Sequence, residues 1–155
     1  MTAEELQQLL APVIDTAAGQ PLDERLAGTL NQRFPPHGDT FQAIESACHE
    51  AIAAGWMCNR EAGGIRFGRV IKPGAATQGF SVDVVDMRDV KGPHHRHPKG
   101  EIDMVMPIST DARFDGHGAG WCVYPPDSAH HPTVTGGQAL VLYLLPDGEI
   151  EFTKQ

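Results

Sequence analysis

The chain has 155 residues, close to the usual length of one domain, with 20 acidic against 12 basic side chains and a formal net charge of −8. No cluster of Lys or Arg offers a surface that tracks phosphates, so nucleic acid is not an expected partner. Neither a basic, apolar leader at Met1–Glu5 nor a run approaching the roughly 18 apolar residues of a membrane span is visible, and the expectation is a cytoplasmic protein without membrane association. Cys48, Cys58 and Cys122 form no Cys-x-x-Cys pair and are an odd number, which reads as reduced thiols rather than a disulfide framework.

Leu6, Leu9, Leu10, Val13 and Ile14 recur at helical spacing behind Thr2, with Glu5 completing a capping-box pattern, and predict a first helix ending near Gly19. A second helix is expected from Pro21 or Leu22 to about Arg33, where Pro35-Pro36 breaks the pattern. The third spans about Thr40 to Gly55, with Phe41, Ile44, Cys48 and Ile52 on one face.

From Ile65 onward the period changes to two. Eight short strands are predicted: Ile65–Ile71, Phe80–Arg88, Glu101–Pro107, Ala112–Phe114, Gly120–Tyr124, Thr133–Val134, Ala139–Leu145 and Ile150–Thr153. Strands this short and this numerous, punctuated by glycine and proline, suggest a closed barrel or jelly roll, whose mouth is a natural place for a ligand. No linker separates the helical part, residues 1–55, from the barrel, residues 65–155, so a single domain over 1–155 is expected.

Five of the eight histidines fall in two runs, His94-His95-Arg96-His97 and His130-His131. In the first run, residues two apart on an extended segment point to the same side, so His95 and His97 can bring two imidazoles onto one ion. Glu101, beyond the turn Pro98-Lys99-Gly100, can return a carboxylate to that face. His131, with its neighbour His130 as the alternative, can supply a fourth group from a distant strand. Three nitrogens and a carboxylate oxygen suit one first-row divalent metal ion (Fe, Mn, Ni, Co or Zn) and leave positions for water or substrate.

His95-Arg96-His97-Pro98-Lys99-Gly100-Glu101 and the segment from Gly120 through Pro126 and Ser128 to His131 resemble the two motifs of the cupin superfamily. That resemblance implies a mainly β fold, a cupin-like jelly-roll barrel with the N-terminal helical region packed against it, and the metal ligands His95, His97, Glu101 and His131. Four positions depart from the pattern: Gly92 stands close to His95, Ile108 replaces a glycine, Ser128 replaces another, and the final asparagine is absent. These changes touch turns rather than ligands.

The segments Gly100–Pro107, Phe114–Trp121, Val141–Pro146 and Glu149–Phe152 further resemble the small 4-hydroxylaminobenzoate lyases. This implies a carbon–nitrogen lyase of nitroaromatic degradation that converts 4-hydroxylaminobenzoate into protocatechuate (3,4-dihydroxybenzoate) and releases ammonia. Such chemistry needs an acid, for which Asp103, on the same strand face as Glu101, and His130 are candidates, with His94 and His117 behind them. A small aromatic acid substrate needs a cation for its carboxylate, and Arg66 or Arg69 is the expected one. Trp121 and Tyr124 are expected against its ring. Rival readings are another metal-dependent cupin enzyme, a dioxygenase or isomerase acting on a small aromatic or keto acid, and a non-catalytic small-molecule-binding cupin. A homo-oligomer, most simply a dimer, is the expected assembly.

Overall fold

Each of the first two helices begins where a side chain can accept an otherwise orphaned backbone amide. In the computed structural model, which describes residues 1–154, α1 (Ala3–Ala17) is capped by Thr2, whose hydroxyl accepts from the Glu5 N–H at 3.2 Å. Asp23 caps α2 (Glu24–Arg33), accepting from the Leu26 N–H at 3.0 Å. Its capping delays α2 relative to the expected start at Pro21 or Leu22. α3 (Asp39–Ala54) stops at Gly55, as its sequence requires. No helix among the described residues is long and apolar enough to cross a membrane.

The strands follow as β1 (Arg60–Ala62), β2 (Ile65–Ile71), β3 (Phe80–Lys91), β4 (His95–His97), β5 (Glu101–Pro107), β6 (Arg113–Phe114), β7 (Gly120–Tyr124), β8 (Ser128–His130), β9 (Thr133–Pro146) and β10 (Glu151–Phe152). Three of these, β1, β4 and β8, go beyond the eight expected, and two expected strands merge into β9. The merger turns on Gly136 and Gly137, whose positive φ values of 75° and 128° bend the strand without ending it. A Cβ on Gly136 would lie 2.3 Å from the Asp111 carbonyl oxygen, so the bend needs glycine there. Across the ladder, β3 shifts register between Arg88 and Val90 to match.

All pairings are antiparallel. A seven-stranded sheet runs in the order β1-β2-β3-β9-β5-β7, with β6 also on β9, and a three-stranded sheet runs β10-β4-β8. The architecture is mainly β, a cupin-like sandwich carrying the N-terminal helices on one side. Alternation along the large sheet decides what each face does. Val82, Val84, Ile102, Met104, Leu140, Leu142 and Leu144 pack against Leu6, Leu10, Ile14, Leu30, Phe41 and Ile44 of the helices. The opposite face carries Met87, Val105, Cys122, Val141, Tyr143 and Leu145. Each fully buried Leu or Met contributes about 1.5–3 kcal/mol. The helix-facing side fills its row with such residues, whereas the other side gives two buried positions to Glu101 and Asp103. Stability is thus concentrated on one face and chemistry on the other.

Helix α2 is tied to β7 by one amide side chain. Asn31 Oδ1 accepts from the Trp121 N–H at 2.9 Å while Asn31 Nδ2 donates to the Trp121 carbonyl at 2.9 Å. Trp121 Nε1 donates to the Phe34 carbonyl at 2.9 Å and its ring meets Phe41 edge to face. Asn31→Ala would strip a backbone donor and acceptor of their partners. The expected outcome is a loss of about 1–3 kcal/mol in urea-unfolding stability; an unchanged midpoint would show that the amide bridge contributes nothing.

Candidate metal centre

In the β4–β8 ladder His95 stands opposite His130, and His97 opposite Ser128. Directly opposed residues of an antiparallel pair project to one face, as do residues two apart on a strand. His95, His97, Ser128 and His130 therefore share a face of the small sheet. Gly100, at φ 90°, donates its N–H to the His97 carbonyl at 3.2 Å and closes the turn that delivers Glu101 from the large sheet to the same point. A side chain at Gly100 would collide with the Tyr124 carbonyl, 2.8 Å from the Cβ position.

One ligand atom from each of His95, His97, Glu101 and His130 lies within 4.8 Å of the others. His95 Nε2 is 2.8 Å from His97 Nε2 and 3.1 Å from His130 Nε2. His97 Nε2 is 3.3 Å from Glu101 Oε2, and His130 Nε2 is 3.9 Å from the same oxygen. Metal–nitrogen bonds of about 2.0–2.1 Å place neighbouring ligand atoms roughly 2.8–3.4 Å apart in octahedral or tetrahedral arrangements, so the shorter of these separations suit an ion.

Hydrogen bonds on the far side of two imidazoles fix what faces inward. Ser128 Oγ donates to the Pro125 carbonyl at 2.6 Å, so it accepts from His97 Nδ1 at 2.9 Å and leaves His97 Nε2 as a bare lone pair. Asp115 Oδ2 lies 2.6 Å from both His130 Nδ1 and the Tyr124 hydroxyl, and Oδ1 accepts from the Thr133 N–H at 2.9 Å. Burial would raise the Asp115 carboxyl, but the His130 and Tyr124 hydrogen bonds outweigh it and hold it below the ordinary value. An ionised carboxylate only accepts, so His130 Nδ1 donates and its Nε2 is also bare. Burial pushes His95 down to about 4 against the pull of Glu101, which leaves that ring neutral at neutral pH. The inward lone pairs of His97 and His130 and the Glu101 carboxylate repel one another unless a cation stands between them. Both Glu101 oxygens are buried without a hydrogen-bond partner, as such a cation requires. The donor set fits a divalent metal.

Asp103 lies two residues beyond Glu101 on the same face, fully buried, with neither oxygen hydrogen-bonded. Burial, then the charge of Glu101, pushes its carboxyl well above the ordinary value. Of the two acids, Asp103 is the one whose surroundings favour the protonated form.

Other expected site residues are placed differently. His131 is one position past the end of β8 and turns away, with Nδ1 3.1 Å from the Gly92 carbonyl and its ring beside His94. The cluster therefore holds His130 rather than the expected His131, because cross-strand pairing of His95 with His130 decides the inward face. His130 correspondingly stands among the ligand atoms rather than apart from them as a free acid. Trp121 faces the helices. Tyr124, three residues on, necessarily projects to the other side and packs at 4.6 Å from His130 and 5.5 Å from His97, its hydroxyl committed to Asp115. Arg66 pairs with Asp86 in register and is exposed in the row of Leu140 and Met106, which belongs to the helix side. Arg69 shares the row of Asp103 but lies three strands away, about 14 Å at the usual strand spacing. Its guanidinium is taken by Asp83 at 2.8 Å and the Gly148 carbonyl at 2.9 Å. Neither arginine reaches the cluster. Asp115 and Ser128 are brought to it without having been expected as functional. Ser128 is readable as a polar group on a turn where the cupin pattern has glycine, whereas Asp115, fifteen residues from His130, leaves no local signal.

The sequence pattern of the 4-hydroxylaminobenzoate lyase family matches residues 8–152. A 4-hydroxylaminobenzoate lyase of Pseudomonas putida is 32% identical over 163 aligned positions, covering 94% of this chain and 90% of that protein. Another, from Nocardioides sp. (strain LMS-CY), is 29% identical over 160 positions, covering 97% and 95%. Among solved structures, an RmlC-like cupin protein from Ralstonia eutropha JMP134 aligns at a TM-score of 0.47 and 12% identity, over 61% of this chain and 62% of that one.

Two substitutions separate the paired histidines. His130→Ala is expected to lose stoichiometric zinc or manganese on dialysis, whereas His131→Ala retains it, as read by elemental analysis; the reverse pattern would place the fourth ligand at His131. Asp115→Ala, which frees the His130 ring, is expected to weaken metal affinity about 10–100-fold in a chelator competition. Unaltered affinity there would remove Asp115 from the site.

Proposed function

The chain belongs to the 4-hydroxylaminobenzoate lyase family, and we propose that it converts 4-hydroxylaminobenzoate and water into protocatechuate and ammonia at a divalent metal held by His95, His97, Glu101 and His130. The observation that carries the metal is the convergence of bare imidazole lone pairs on a buried, unpartnered carboxylate. Family membership supports the substrate. The equation closes with one water and no external oxidant: the ring carbon that gains oxygen loses two electrons, and cleavage of the N–O bond consumes them.

When bound, a divalent ion supplies Lewis acidity toward an oxygen of substrate or water. The chain's own residues do the rest. Ser128 and Asp115 hold the His97 and His130 rings with Nε2 inward. Asp103 carries a proton on a carboxyl oxygen with no competing partner, where it can be passed to the hydroxylamine oxygen as the N–O bond breaks. Cys122 and Tyr143, in register with Asp103 across the sheet, enclose that carboxyl on either side and keep water from it.

Ammonia release from 4-hydroxylaminobenzoate is expected to vanish on chelation, to return with added metal, and to proceed equally without dioxygen. Dependence on dioxygen would favour a dioxygenase, and activity in exhaustively chelated protein would end the metal assignment. Asp103→Asn is expected to keep its metal and lose at least about 10²-fold in kcat. Wild-type turnover in that variant would remove the acid role.

A further inference from the structure

We propose that Phe152 is the wall on which the ring of an aromatic acid stacks as it enters the metal centre. This rests on the reading of the substrate as such an acid. Ile108 and Phe152 are the large hydrophobic side chains left exposed among the described residues, and Phe152, at 68%, is the more exposed. Its place in the small sheet is what gives the exposure meaning.

Phe152 stands opposite His95 across the β10–β4 ladder, and His95 stands opposite His130 across β4–β8. The three side chains form one row on the ligand-bearing face. Phe152 meets His95 edge to face at 5.8 Å between ring centroids, and His95 meets His130 the same way at 4.7 Å. Along this row exposure falls from 68% at Phe152 to 2% at His95. A ring that approaches the ligands from the open edge of β10 therefore meets Phe152 first.

The register that aims Phe152 inward is held from the opposite face. Arg96, between the two ligand histidines but pointing away from them, donates from Nε to Glu151 at 2.7 Å and also pairs with Asp127. The Thr153 N–H donates to the His94 carbonyl at 3.0 Å. Leaving a phenyl ring in water is costly, and covering it with a planar ligand recovers that cost with a geometric preference that an aliphatic ring does not satisfy.

The test uses metal-loaded full-length wild type, Phe152→Ala and Phe152→Tyr. Calorimetry measures binding of benzoate and of cyclohexanecarboxylate, steady-state assays measure turnover, and light scattering measures particle mass. Wild type is expected to prefer benzoate. Phe152→Ala should lose that preference, with KM for 4-hydroxylaminobenzoate raised about tenfold and kcat within about twofold. Phe152→Tyr should restore both, and all three proteins should hold equal metal. Equal benzoate binding in wild type and Phe152→Ala overturns the proposal, as does a wild type that binds neither acid. A change of particle mass with unchanged binding overturns it in favour of contact between copies, and loss of metal in Phe152→Ala overturns it in favour of ligand support. If wild type releases no ammonia but Phe152→Ala still abolishes the preference for benzoate, the substrate reading fails and the stacking wall stands.

Discussion

Three imidazoles and a carboxylate are crowded onto one buried point, and the small sheet with its turns is arranged around that crowding. Two of the rings are aimed inward by acceptors behind them, Ser128 for His97 and Asp115 for His130. The third, His95, is held neutral by burial. The carboxylate arrives from a different sheet. Whatever neutralises these groups joins the three-stranded sheet to the seven-stranded one, so the centre is a structural tie as well as a place for chemistry.

That division explains why the large sheet is built unevenly. Its helix-facing side is apolar through Val82 and Val84 of β3, Ile102 and Met104 of β5 and Leu142 and Leu144 of β9, and those rows supply most of the hydrophobic stabilisation. The other side tolerates Glu101 and Asp103 at fully buried positions. Burying two acids without hydrogen bonds is unfavourable, and a fold secured elsewhere can sustain it. The strand that must serve both faces is β9, and its Gly136–Gly137 bend lets a single chain segment contact β3, β5 and β6.

Local pattern made the three helices, the β half and the shared face of the His-x-His pair legible, because each is a matter of period or of neighbours in sequence. Where reading failed, a strand partner had decided the outcome. His130 and His131 are indistinguishable by spacing alone, and only the pairing of His95 with His130 separates them. Trp121 and Tyr124, three positions apart on one strand, project to opposite faces, so of the two only Tyr124 stands beside the histidines. Arg69, expected to receive a substrate carboxylate, is instead taken by Asp83, which the sequence places fourteen residues away with no local cue. Asp115 reaches His130 through a loop closure, and loop closures carry no period.

The amide of Asn31 acts on β7 as a neighbouring strand would, filling both backbone groups of Trp121. This occupies part of one border of the large sheet as a template for strand addition. The other border, β1, is the exposed Arg60-Glu61-Ala62, short and charged, two features that discourage pairing with a foreign chain. Outer strands of the small sheet run for only two and three residues. A chain with so much β structure is thereby guarded against edge-to-edge aggregation, and a second copy would have to associate through faces and side chains rather than by extending a sheet.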